Sequence, residues 1–151
     1  MFRTTVLAVA LAISVGAPSA GAEAGKSPIV RVRYIVNDVQ SSVAFYTGAL
    51  GFKLDNQAGP YFAALTRGDV QLLLSPIKGP GGASQPMPDG QRPVPGGWNR
   101  IVLDTADLQG DVDRLRKAGV HFRSEIINGL GGRQIVLDDP SGNSVELFQP
   151  G

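Results

Sequence analysis

A chain of 151 residues is long enough for one ordinary domain whose core needs no covalent staples. It carries 14 Lys and Arg against 13 Asp and Glu, which excludes a broad basic footprint for nucleic acid and a polybasic membrane patch. Cysteine is absent, which excludes disulfides, a lipid-anchored cysteine and a cysteine nucleophile.

The chain opens with Arg3 as a short basic start, followed by Val6–Val15, apolar apart from Ser14. Ala20-Gly21-Ala22 then supplies small residues ahead of Glu23. This is the pattern of a secretory signal peptide over residues 1–22, with Ala22-Glu23-Ala24 as a second cleavage option. The apolar run is too short for a spanning helix, which needs about 20 residues. The expectation is a bacterial chain exported to the periplasm or secreted, with no membrane attachment after cleavage. Without Arg3, 13 basic residues face 13 acidic ones and the net charge is zero.

The remainder predicts one domain over 27–150, written twice: module one over 29–75, a linker over 76–98 and module two over 99–149. A shift of 69 lays Arg31 on Arg100, Asp38 on Asp107, Val43 on Val112 and Tyr46 on Leu115. Each copy begins with a β-branched segment, Ile29–Val36 or Asn99–Thr105. Asp38 and Asp107 follow, each suited to cap a helix by accepting backbone N–H bonds. The spacing of Val39, Val43, Phe45, Tyr46 and Leu50 predicts a helix with one buried stripe, as does that of Leu108, Val112, Leu115 and Ala118. Gly51 and Gly119 stand where a left-handed residue ends a helix.

Three strands are predicted after each helix: Phe52–Gln57, Tyr61–Thr66 and Val70–Ser75, then His121–Asn128, Arg133–Leu137 and Ser144–Gln149. Turn residues separate them, Gly129 to Gly132 among them. That glycine run lacks the lysine and the strand-to-helix setting of a phosphate loop. Asp138-Asp139-Pro140 reads as the opening of a turn rather than a pair of catalytic carboxylates. Each half is therefore β-α-β-β-β, an α+β chain. The Gly- and Pro-rich linker reads as a connector. Trp98 at its end is read as a packing residue, with covering of a ligand cavity as the alternative. His121 is read as a partly exposed strand residue.

The segments IVRVRYIVNDVQSSVAFYTGALGF (29–52) and DDPSGNSVELFQP (138–150) resemble the vicinal oxygen chelate superfamily, which includes glyoxalase I, extradiol dioxygenases and bleomycin-resistance proteins. The resemblance implies two βαβββ modules forming a cupped mixed sheet with helices outside. It also implies a divalent metal held at four positions, which here are Arg31, Leu73, Arg100 and Glu146. Arginine has no lone pair to offer, leucine has no donor, and one carboxylate cannot hold a catalytic metal alone. A register slip would offer only Gln71 or Ser75. The expectation is therefore no metal and no other cofactor.

Strand alternation places Arg31, Arg33 and Ile35 on one face and Val32, Tyr34 and Val36 on the other. Arg31, Arg33 and Arg100, with Trp98 nearby, are the candidate ligand-binding residues. Guanidinium groups make bidentate bonds to carboxylate, phosphate or sulfonate. Glu146 orients an arginine or receives a polar group of the ligand; alternatively it closes an ion-pair network with no ligand at all. Two functions follow. One is a metal-free protein that binds a small, anionic molecule, in which case the resemblance implies a homodimer. The alternative is a glyoxalase, dioxygenase or lyase-type enzyme with Glu146 as ligand or general base. An accessory protein with an occluded cup is a third possibility.

Overall fold

The structure, a computed structural model, describes residues 30–151. The leader-like segment 1–22 and the expected strand start at Ile29 lie outside the described residues. The elements run β1 (Val30–Val36), α1 (Val39–Gly48), β2 (Lys53–Gln57), β3 (Ala63–Arg67) and β4 (Val70–Pro76). They repeat as β5 (Ile101–Asp104), α2 (Leu108–Lys117), β6 (Ile127–Gly129), β7 (Gly132–Asp138) and β8 (Ser144–Pro150). Each half folds into a four-stranded mixed sheet, ordered β1-β4-β3-β2 and β5-β8-β7-β6. In both, the first strand runs parallel to the last and the remaining pairs are antiparallel. This is the duplicated α+β architecture expected from the sequence.

The helices form where they are capped. Asp38 Oδ1 accepts the Ser41 amide at 2.7 Å, and Asp107 Oδ1 accepts the Gly110 amide at 3.0 Å. Gly51 and Gly119 take φ of 70° and 78° just past the two helices. The buried stripe of α1 is Val39, Ser42 and Tyr46, and Ser42 is tolerated there because its hydroxyl donates to Asp38 O at 2.8 Å. In α2 the stripe is Leu108, Val112 and Leu115. Ala118, expected in that stripe, is instead the exposed C-cap.

Alternation along β1 buries Tyr34 and Val36 against the helices and leaves Arg31 and Arg33 exposed on the other face. A single hydrophobic cluster runs through both halves, from Tyr34 and Leu72 to Leu115 and Val145. Among the described residues no backbone ladder joins β1 to β5. The seam is closed by side chains instead. The Tyr34 hydroxyl donates to Ser144 O at 2.9 Å and accepts the Ile101 amide at 3.0 Å. The Tyr46 hydroxyl donates to Asp139 Oδ2 at 3.0 Å, and Asn143 Nδ2 donates to Ile35 O at 2.9 Å. Burial pushes both phenols above their ordinary value of 10.0, and the Asp139 charge adds to the effect at each.

Two expectations need correction. The strand predicted over His121–Asn128 is only β6 at its end. Earlier, Asp138 N donates to His121 O at 2.9 Å and Arg123 N to Val136 O at 2.8 Å, and an isolated bridge joins Phe122 to Leu137. The segment then leaves β7, because Arg123 is drawn aside to Asp138, Gly97 O and Gly142 O. The linker is also more than a connector in its first part. Gly82–Ser84 form a 3-10 turn, and Ser84 is buried with its hydroxyl donating to Pro76 O at 2.6 Å.

Candidate functional site

The face of each sheet turned away from the helices carries the polar side chains. In module one the register sets Arg31 beside Gln71 and Arg33 beside Leu73. In module two it sets Val102 beside Glu146. Since Arg33 and Val102 each lie two residues beyond Arg31 and Arg100, Leu73 and Glu146 occupy equivalent places in the two halves. Arg100 lies one residue before β5 rather than within it.

The structure joins Arg100 to Glu146 and leaves Arg31 apart from both. Arg100 Nε donates to Glu146 Oε2 at 2.6 Å, and Arg100 Nη1 donates to Trp98 O at 3.3 Å. Glu146 is buried, whereas the Arg100 side chain keeps 30% of its surface in solvent. Among the described residues the Arg31 side chain makes no hydrogen bond or ion pair. Arg33 Nη1 donates to the buried Ser75 hydroxyl at 2.5 Å and has no carboxylate partner among the described residues. Charged groups that lose water need a partner; these two arginines do not, because they remain exposed.

Both slip positions are occupied by other work. Ser75 holds Arg33, and Gln71 Nε2 donates to Asp55 Oδ2 at 3.1 Å. Asp55 was not singled out from sequence. It lies at an irregularity of β2, between the paired residues Leu54 and Asn56, and a bulge re-aims a side chain. The Thr66 hydroxyl, then the Gln71 amide, hold its carboxyl below the ordinary value of 3.8. The four positions that the resemblance assigns to a metal, Arg31, Leu73, Arg100 and Glu146, present two guanidinium groups, a leucine and a carboxylate bonded to one of those guanidiniums. That donor set does not fit a metal ion. Among the described residues no group of three or more His, Cys, Asp and Glu side chains is arranged to hold one.

Trp98 is 71% exposed, and its ring stacks on the Arg123 guanidinium at 4.8 Å. His121 is exposed, with Nδ1 2.8 Å from Asp138 Oδ2. Asp139 caps the β7–β8 turn, accepting Ser141 N and Asn143 N at 2.8 and 2.9 Å.

The Arg100–Glu146 pair yields a direct test of its standing. Arg100→Ala leaves a buried carboxylate unpaired. Breaking a buried pair costs about 3–5 kcal/mol, and partial solvation of Arg100 reduces this to about 2 kcal/mol. Arg100→Ala with Glu146→Leu should recover most of that loss in urea unfolding. A double variant no more stable than the single one would show that burial of Glu146 is not what the pair compensates.

A model of the family described as the Glyoxalase/Bleomycin resistance protein/Dioxygenase superfamily matches residues 29–147. Among solved structures the chain is similar to an antibiotic binding protein from a Streptomyces species, with 27% identity over 83% of this chain and 98% of that one, at TM-score 0.63. It is also similar to a member of the same superfamily from Sphaerobacter thermophilus, with 27% identity over 80% and 95% of the two chains, at TM-score 0.63. A lactoylglutathione lyase from Agrobacterium tumefaciens shares the fold at TM-score 0.64 and 18% identity, over 83% and 95% of the chains. No curated protein matches the chain.

Proposed function

The chain belongs to the Glyoxalase/Bleomycin resistance protein/Dioxygenase superfamily, and from that premise we propose that it binds a small anionic molecule without the family's metal. The observation that carries this reading is the 2.6 Å bond from Arg100 to Glu146, which commits the one carboxylate available at the four metal positions. The exposed cations Arg31 and Arg33 on the open face of module one support an anionic ligand. The likeness to an antibiotic binding protein at 27% identity points the same way. An enzyme using Glu146 as ligand or general base would have to work through Oε1 or break the bond that Oε2 accepts from Arg100.

Dialysis of the purified chain against nickel, zinc, manganese or anaerobic ferrous iron, followed by removal of free metal, tests the metal-free reading. The expected outcome is no retained ion, with saturable binding among carboxylates, phosphates and sulfonates that weakens in Arg31→Ala. One tightly held ion per chain would overturn it. Turnover lost in Glu146→Ala with binding kept would establish the enzyme instead.

The leader-like pattern of residues 1–22 supports export of this binding function from the cytoplasm. Intact mass of the product recovered from a bacterial host should correspond to a chain starting at Glu23 or Gly25. Retention of Met1 or Phe2 in a soluble cytoplasmic fraction would refute export. The family resemblance further supports a homodimer, which sedimentation of the mature chain tests.

A further inference from the structure

A cavity of about 640 Å³ opens beside Arg33, walled by Tyr61, Phe62 and the linker residues Gly81, Gly82 and Ala83. Its size falls within the range of about 300–1,000 Å³ common to small-molecule sites. It lies on the open face of module one. Arg33 projects there from β1, and Phe62 immediately precedes β3, where alternation sets it with Ala64 and Thr66 on that face.

The chemistry of the walls is uneven in a useful way. Tyr61 is 52% exposed and Phe62 is partly buried, so two aromatic side chains border the space. The linker side of the space has almost no side chains, and a Cβ placed on Gly81 or Gly82 would meet nothing within 4 Å. Space bordered by aromatic groups and bare backbone has room for a flat ring. Among the described residues Arg33 is the only charged group on the walls. Its Nη1 is turned to Ser75, while Nε and Nη2 make no bond among the described residues. A guanidinium held at one nitrogen keeps a donor edge free for an oxyanion.

The linker wall is set in place rather than loose. Ser84 is tied to Pro76 O, Gln85 Nε2 donates to Gly79 O at 2.9 Å and to Gly81 O at 3.3 Å, and Arg92 Nη1 donates to Ser84 O at 3.3 Å. Gly79 sits close against Pro76 and Tyr61, since a Cβ there would lie 3.3 Å from each side chain. A wall already ordered reduces the entropy lost when a ligand enters.

We infer that this pocket binds a planar aromatic acid, its ring lodged beside Tyr61 and Phe62 and its carboxylate or sulfonate bonded to Arg33. The inference rests on the metal-free binding reading and names the ligand class and subsite for it. The ring contributes stacking and apolar burial, and the oxyanion contributes a charge-assisted bond.

Calorimetric titration with 2-naphthoate, and with the neutral 2-naphthamide as its partner, tests the assignment. The wild type should bind the acid about tenfold more tightly than the amide, the factor expected for one charge-assisted hydrogen bond. Arg33→Gln should erase that preference and leave amide binding unchanged. Tyr61→Ala should weaken both probes alike. Both probed side chains are exposed, so circular dichroism of the variants should match the wild type. Naphthoate binding that is lost in Arg100→Gln and kept in Arg33→Gln would overturn this subsite and leave the binding function standing. Absence of saturation in the wild type would overturn the subsite too, and the screen of carboxylates, phosphates and sulfonates would then decide the binding function.

Discussion

Asp139→Ala is expected to lower the free energy of unfolding by about 4 kcal/mol. The carboxylate is buried at 4% exposure and accepts four hydrogen bonds: from Ser141 N, Asn143 N, Asn143 Nδ2 and the Tyr46 hydroxyl. Alanine would strand those donors in the interior, where each unsatisfied group costs about 1–3 kcal/mol, less what entering water restores. The damage would not stay in the turn, because Tyr46 belongs to α1 and Asn143 also holds Ile35 O of β1. Tyr46→Phe removes one of the four bonds and should cost about 1 kcal/mol alone and close to nothing once Asp139 is alanine. Urea unfolding of the two single variants and the double one measures this coupling. Additive losses would show that the hydroxyl and the carboxylate act separately.

Gly132→Ala should cost about 3 kcal/mol, for a steric reason rather than a polar one. Gly132 opens β7 at a φ of 148°, and a Cβ there would lie 2.1 Å from Gln149 O and 3.0 Å from Gly151 N. The obstacle is backbone of the neighbouring strand, so relief requires β8 to move away from its paired partner. Gly131→Ala is the control: its Cβ would meet only the tip of Phe148 at 3.7 Å, an ordinary contact. Thermal unfolding that places both variants within a degree of each other would show that the end of β8 shifts freely and that this crossing does not fix the strand.

The duplicated order of elements was legible because its signals are local and repeat. A capping Asp, a helical stripe and a left-handed Gly recur at corresponding points of each half, and both caps form as expected. Strand alternation also assigned the faces of β1 correctly, with Tyr34 inward and Arg33 outward. What sequence could not supply was pairing at a distance. Nothing local says that Arg100 chooses Glu146, 46 residues away, while Arg31 makes no such bond. The irregularity that turns Asp55 toward Thr66 and Gln71 depends on the partner strand, so no pattern within β2 announces it. The order within the linker was hidden for a related reason. Its glycines and prolines read as flexibility, yet Ser84 and Gln85 pin its first ten residues by side-chain bonds that composition does not encode. The aromatic pair Tyr61-Phe62, next to the Gly59-Pro60 turn, was the visible hint of a pocket wall there.

One wall of the Arg33 cavity comes from Gly81–Ala83, a stretch that belongs to neither repeat. Doubling the length of such a loop costs only about 0.6 kcal/mol in closure entropy. Insertions and replacements there leave Tyr34, Tyr46 and Asp139 untouched. Scaffold and cavity wall are thereby separable: replacing the loop remodels the cavity while the hydrogen bonds that close the seam stay as they are.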